Sequence, residues 1–197
     1  MNKVKIIGLT GQSGAGKTTV SSYLHSKGFF TVDADKISRE VLNTSECKEQ
    51  IAKFFGKEVF LQDGNIDRKK LREKAFLSAE NVKILNEITH PEILKRIRLL
   101  LKKYESSKGI TVLDVPLLFE TGLNGLCDVV IAVLASKNLR ARRIINRDKI
   151  DLNAVKMRID TQKEDIFYKN RADFIISNDS SKEDLFAKVD EVLEKFY

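Results

Sequence analysis

The chain has 197 residues, 42% of them apolar and 32% charged, with a formal net charge of +7. That composition excludes intrinsic disorder and fits a single domain spanning 1–197, or one core carrying an insertion. No window approaches eighteen consecutive apolar residues, which excludes a membrane-spanning helix, and a strand-like segment directly after Met1-Asn2-Lys3 leaves no room for a signal peptide.

Short apolar runs alternate with longer amphipathic stretches, the pattern of a parallel α/β sheet. Residues 3–10 read as a first strand through Val4, Ile6, Ile7 and Leu9. A helix over 18–27 follows, with Val20, Tyr23 and Leu24 on one face and Gly28 closing it. Phe29 to Val32 makes a second strand. Residues 36–107 carry helical periodicity and no strands, far more than the dozen residues a crossover needs, so they read as a helical insertion that covers a substrate. Leu85, Ile88, Ile97 and Leu101 mark long helices there, broken at His90-Pro91 because proline disfavours the preceding helical turn. Strands follow at 110–115, 129–134 and 174–177, giving five in all. A basic stretch at about 138–162 has the character of an arginine-bearing lid. The last helix, 182–196, aligns Leu185, Val189, Val192 and Phe196.

Between the first strand and the first helix, Gly11-Gln12-Ser13-Gly14-Ala15-Gly16-Lys17-Thr18 satisfies G-x-x-x-x-G-K-[ST] in the context that motif requires. Glycines permit the backbone that turns successive amides inward, and those amides with the helix N-terminus receive phosphate oxygens. Lys17 would neutralise the β/γ-oxygens of ATP, and the Thr18 hydroxyl, followed by Thr19, would ligate Mg²⁺. The predicted fold is therefore a three-layer P-loop core. No guanine-reading N-K-x-D occurs, and the chain is short for a motor ATPase; an ATP-dependent kinase for a small molecule fits the insertion and lid.

The positive charge suits a polyanion. The basic residues are dispersed without an aromatic-basic signature, which favours an anionic small substrate over nucleic acid. Cys47 and Cys127 lie far apart and outside metal-ligand spacing, as free thiols in a reducing cytoplasm do. A monomer or weak homo-oligomer is expected.

The second strand runs into Asp33-Ala34-Asp35-Lys36-Ile37-Ser38-Arg39. Carboxyl ends of strands line the ligand crevice of a doubly wound sheet, so one aspartate there can take a proton from an attacking hydroxyl while the other is structural, for instance a cap on the next helix. Asp114, ending the third strand, is a candidate to orient a Mg²⁺-bound water. Arg140 and Arg142 read as a solvated helix face, His25 as surface, Phe119 as core packing, and His90 as either a hydrogen bonder at a kink or a substrate contact.

The ordered series of motifs resembles the dephospho-CoA kinase family over about residues 4–180. The family's L-T-G appears as Leu9-Thr10-Gly11 before the phosphate loop, its D-A-D-x-I-x-R as Asp33 to Arg39, and its R-x-x-L-R within Asp67 to Arg72. The H-P is His90-Pro91 and the V-P-L-L-F-E is Val115 to Glu120. Arg147-Asp148 falls in the lid, the R-x-x-x-Q is Arg158 to Gln162, and the closing A-D-x-x-I-x-N runs from Ala172 to Asn178. The resemblance implies phosphorylation of the ribose 3′-hydroxyl of dephospho-CoA, with Asp35 as general base. It places Arg147 and Arg143 on ATP phosphates and Asn178 near adenine. Thr10, Asp33, Arg39, Arg68, Leu71, His90, Pro116, Leu117, Phe119 and Glu120 fall on the acceptor side. The chain departs from the family after Asn178, where Asp179-Ser180-Ser181 replaces an early glycine, and at Gln12 and Ala15 of the phosphate loop, where no particular side chain is needed. A different metabolite kinase, and a non-enzymatic nucleotide- or RNA-binding switch, are the alternative readings.

Overall fold

Five apolar runs become five strands: β1 (Ile6–Gly11), β2 (Phe30–Asp33), β3 (Thr111–Asp114), β4 (Val129–Leu134) and β5 (Phe174–Ser177), in the spatial order β2-β3-β1-β4-β5. The computed structural model describes residues 4–105 and 109–195; Lys3, Ser107 and Phe196, read from the sequence as element ends, lie outside the described residues. The β1–β3, β1–β4 and β4–β5 pairs are parallel, with Leu9 opposite Asp114 and Gly11 opposite Val133. Ile7, Leu9, Val112, Leu113, Ile131, Ala132 and Val133 are fully buried, as a parallel sheet covered on both faces requires.

The period of two along β4 sorts the covering layers. Ile131 and Val133 pack with Val20 and Leu24 of α1 (Lys17–Ser26), and with Leu185 and Val189 of a C-terminal helix, Lys182–Leu193. Ala132 and Leu134 point the other way, into a cluster with Tyr168, against which Phe119 and Phe167 pack. Tyr23 and Phe186 stack at 3.9 Å where those two helices meet. Because β1 lies between β3 and β4, the chain leaves β1 toward one side and returns to the other. The strand order therefore reverses at the carboxyl end of β1, where such sheets bind ligands.

The chain divides into two compact units, Met1–Val32 with Leu101–Tyr197, and Asp33–Leu100. The first holds the sheet, together with α6 (Lys137–Asp148), α7 (Leu152–Asp160), α8 (Asp165–Lys169) and the C-terminal helix, α9. The second is built from α2 (Ala34–Leu42), α3 (Ser45–Phe55), α4 (Arg68–Ala75) and much of α5 (Ala79–Glu105). Its helices start on side-chain caps: Asp33 accepts from Lys36 N–H, Thr44 from Cys47 N–H, and Asp67 from Lys69 and Lys70 N–H. Ile37, Val41, Ile51, Phe55, Leu71 and Ala75 are buried within it.

One expectation is corrected here. The helix does not break at His90-Pro91; Pro91 lies inside α5. Pro91 deprives the Glu87 carbonyl of its partner, but both residues are exposed, so water can take the missing donor's place. Among the described residues no helix is long and apolar enough to cross a membrane.

Candidate active site

The phosphate loop occupies the bend between β1 and α1. Gly16 caps α1 in the left-handed conformation (φ 102°), and no side chain caps that helix. The helix N-terminus is left to an anion, the arrangement that fits a nucleotide triphosphate. Gly14 is left-handed as well (φ 79°), and a Cβ there would come within 2.8 Å of the Arg140 carbonyl. Lys17 Nζ is paired with Asp114 Oδ1, both side chains mostly buried. Sheet register explains the pairing, since Asp114 sits opposite Leu9, two residues before the loop begins. Thr18 is exposed and Thr19 half-buried at the first turn of α1. Thr10 is fully buried, its hydroxyl donating to the Pro116 carbonyl at 2.9 Å. It thereby holds the segment after β3, in which Leu117 and Glu120 are exposed and Phe119 meets Phe167 edge-on at 5.9 Å.

Residues after β4 and β5 brace the loop from behind. Asn178, itself buried, donates its side-chain amide to the Ala15 carbonyl at 2.7 Å. Arg143 donates to the Asn178 carbonyl at 3.1 Å and reaches the Gly14 and Ala15 carbonyls at 3.4 and 3.5 Å. Arg147 is exposed and grips its neighbour Asp148 in a fork, at 2.6 and 3.0 Å, while Arg158 holds the second Asp148 oxygen at 2.6 Å. These guanidinium groups, Arg147 first, keep the Asp148 carboxyl below its ordinary range.

Arg140 overturns the reading of a solvated face. Its side chain is 1% exposed; Nε donates to the Ser13 carbonyl at 3.1 Å, and Nη2 donates to Gln162 Oε1. Burial pulls its pKa down, and the nearby Asp165 opposes that shift. Arg142 is exposed, as is His25.

In the unit Asp33–Leu100, Asp33 ends β2 and spends Oδ1 on the α2 cap at 3.0 Å. Asp35 is exposed in the first turn of α2, and Arg39, also exposed, donates to the Asp35 carbonyl at 3.0 Å. Arg68 is exposed at the first position of α4, Leu71 is 2% exposed in the core of this unit, and His90 is half-buried in α5.

Three groups escaped the sequence reading or were undervalued. The position of Asp114 in the sequence suggests only a metal-bound water; its partnership with Lys17 depends on strand register, which no local pattern encodes. Gln162 lay inside the R-x-x-x-Q without a role. It accepts from Ser13 N–H at 3.2 Å. Arg140 did leave a signal: it lies one turn before the fully buried Ile144, on the apolar stripe of α6.

A family model for dephospho-CoA kinase matches residues 5–184. A dephospho-CoA kinase of Fusobacterium nucleatum is 39% identical over 191 residues, covering 97% of this chain and 98% of that protein. The dephospho-CoA kinase structure from Campylobacter jejuni covers 98% of this chain and 97% of its own, with a TM-score of 0.66 at 29% identity. A crystal structure from Thermus thermophilus superimposes over the whole of both chains at a TM-score of 0.85 and 30% identity. The phosphate loop, the strand order around it and this end-to-end likeness agree, and the chain belongs to the dephospho-CoA kinase family.

Proposed function

We propose that the chain transfers the γ-phosphoryl group of ATP to the ribose 3′-hydroxyl of dephospho-CoA, giving coenzyme A and ADP. The observation that carries this reading is the uncapped, glycine-turned helix N-terminus beside Lys17, followed along the chain by the Asp33 to Arg39 segment. Phosphoryl transfer asks a protein for alignment and charge neutralisation more than for covalent help. Loop residues Gly11 to Thr19 receive the phosphates, and Lys17 exchanges Asp114 for the β/γ-oxygens. The Thr18 hydroxyl would help hold the nucleotide's Mg²⁺, with Asp114 near enough to Lys17 to orient one of its waters; bound there, the ion would supply charge neutralisation. Arg143 and Asn178 hold the loop's shape behind the nucleotide. Arg147 leaves Asp148 for the transferring phosphoryl group.

Asp35 takes the proton of the attacking hydroxyl as the new P–O bond forms and the γ-phosphoryl bond to ADP breaks. Asp33 holds Asp35 in place through the helix cap. Arg39, Arg68, His90 and the segment from Pro116 through Leu117 and Phe119 to Glu120 shape the acceptor's site, with Leu71 beneath it. The proposal also includes a cytoplasmic enzyme, a monomer or weak homo-oligomer, without a nucleic-acid partner; two cysteines without a disulfide and dispersed basic residues support it.

Incubation with ATP, Mg²⁺ and dephospho-CoA tests the reaction, mass spectrometry reading the gain of one phosphate on the acceptor. Phosphorylation of other hydroxyl compounds in place of dephospho-CoA would assign a different acceptor. ATP left intact with every acceptor would refute the reading.

A further inference from the structure

Both main-chain polar groups of Ser13 are held by side chains from the two ends of one helical pair. The Ser13 N–H donates to Gln162 Oε1 at 3.2 Å, and its carbonyl accepts from Arg140 Nε at 3.1 Å. Arg140 Nη2 closes the triangle on Gln162 Oε1. Arg140 lies in the first turn of α6, and Gln162 lies two residues past the end of α7. The α6–α7 pair packs on itself through Ile144, Val155 and Ile159. The chain between these two feet, which carries Arg143, Arg147 and Arg158, is thus fastened at both ends to one residue of the phosphate loop. The neighbouring Gln12 adds to the fastening, its side-chain amide donating to the Lys163 carbonyl and to Asp165 Oδ1, each at 3.0 Å.

We infer that Gln162 and Arg140 are positioning residues for the phosphoryl donor, clamping Ser13 so that the following amides are already set for phosphate and the arginine-bearing helices move together with the loop. The inference rests on the ATP-dependent transfer proposed above. Neither side chain needs to touch the nucleotide. The Arg140 guanidinium is buried, and hydrogen bonds from a charged donor shielded from water are the strong ones. An acceptor that takes this charged donor together with a loop amide removes freedom that the nucleotide would otherwise have to remove on binding.

Gln162→Met keeps the length of the side chain and deletes its strong acceptor; Gln162→Glu keeps an acceptor for both donors. For Gln162→Met, calorimetry with ATP alone is expected to give a dissociation constant roughly tenfold to a hundredfold higher, as loss of a charge-assisted hydrogen bond implies. The KM for ATP rises in parallel, whereas the KM for dephospho-CoA at saturating ATP stays within about twofold. Gln162→Glu recovers most of the ATP affinity. Amide exchange supplies a readout free of any variant: Ser13 N–H in the nucleotide-free protein should exchange slowly despite lying in a surface loop. Fast exchange there, an unchanged ATP dissociation constant in a Gln162→Met protein of lowered melting temperature, or a Gln162→Glu protein as weak as Gln162→Met would each overturn the clamp. If the wild type binds ATP with these differences yet leaves dephospho-CoA unphosphorylated, the clamp stands and the proposed reaction falls.

Discussion

Asp33 and Asp35 stand two positions apart and do different work. Asp33 has an oxygen committed to the Lys36 amide, which ties it to the start of α2, whereas Asp35 is exposed one step into the helix. A general base contributes typically 10²–10⁴-fold, so Asp35→Asn is expected to reduce kcat by roughly that range. Its ATP dissociation constant, measured by calorimetry, should stay near the wild-type value, and near-normal turnover would remove Asp35 from the role. Arg147 belongs to the same scale. Its fork joins an exposed guanidinium to a half-buried Asp148 that Arg158 also holds, so the carboxylate keeps a partner when Arg147 leaves, and the cost of releasing the guanidinium to a phosphoryl group is small. An arginine on the transferring group can be worth roughly 10³–10⁵ in rate. Arg147→Ala should therefore lose several orders of magnitude in kcat in a single-turnover assay, and a loss below about tenfold would argue that Arg147 stays on Asp148 throughout.

At the scale of elements, the strands were the most legible part of the chain. β4 begins and ends where its apolar run does, because a parallel strand buried on both faces needs an uninterrupted run; the edge strand β5, only partly buried, is marked by its short apolar run Phe174 to Ile176. α8 has only five residues, too few for a helical period to declare itself. Pro91 misled for a different reason: its effect on a helix depends on whether solvent can reach the orphaned carbonyl, a tertiary fact. The site divides in the same way. The phosphate loop and the Asp33 cap are local in sequence and could be read there. The partners of Arg140 lie 127 and 22 residues away, and Asp114, the partner of Lys17, lies 97 away; a window can place Arg140 on the buried stripe of α6, but no window can show what either side chain meets. The proline also gives a direct test. A proline inside a helix is unfavourable by roughly 3 kcal/mol relative to alanine, so Pro91→Ala should raise the melting temperature, even if part of that strain has already relaxed. A melting temperature that falls would mean that packing around α5 requires Pro91. A rise accompanied by a higher KM for dephospho-CoA would give Pro91 a part in acceptor binding.

At the scale of the whole molecule, the two thiols report on the two compact units separately, since Cys47 belongs to Asp33–Leu100 and Cys127 to the other. Cys47 is 4% exposed, and Cys127 lies against Gly8 under the sheet, where a Cβ on that glycine would come within 2.7 Å of its sulfur. Burial disfavours the thiolate, pushing the Cys47 pKa up to about 11 and that of Cys127 up to about 12. Only the thiolate is nucleophilic, so at pH 8 both cysteines of the native protein should alkylate slower than those of the unfolded chain by on the order of a hundredfold or more. The native rates should still be climbing at pH 10, and a plateau near the ordinary thiol range would show that neither sulfur is shielded as described. The same shifts bear on stability. The unfolded chain loses these protons first, so the contribution of the buried thiols is fully present below about pH 9 and declines as pH rises from there through about 11 and 12. Replacing Cys127 by alanine should flatten the alkaline fall in unfolding free energy, although the cavity it leaves lowers the curve as a whole. If the alkaline slope is the same with and without Cys127, other groups drive it, and the Cys127 thiol is already ionised in the folded protein at those pH values.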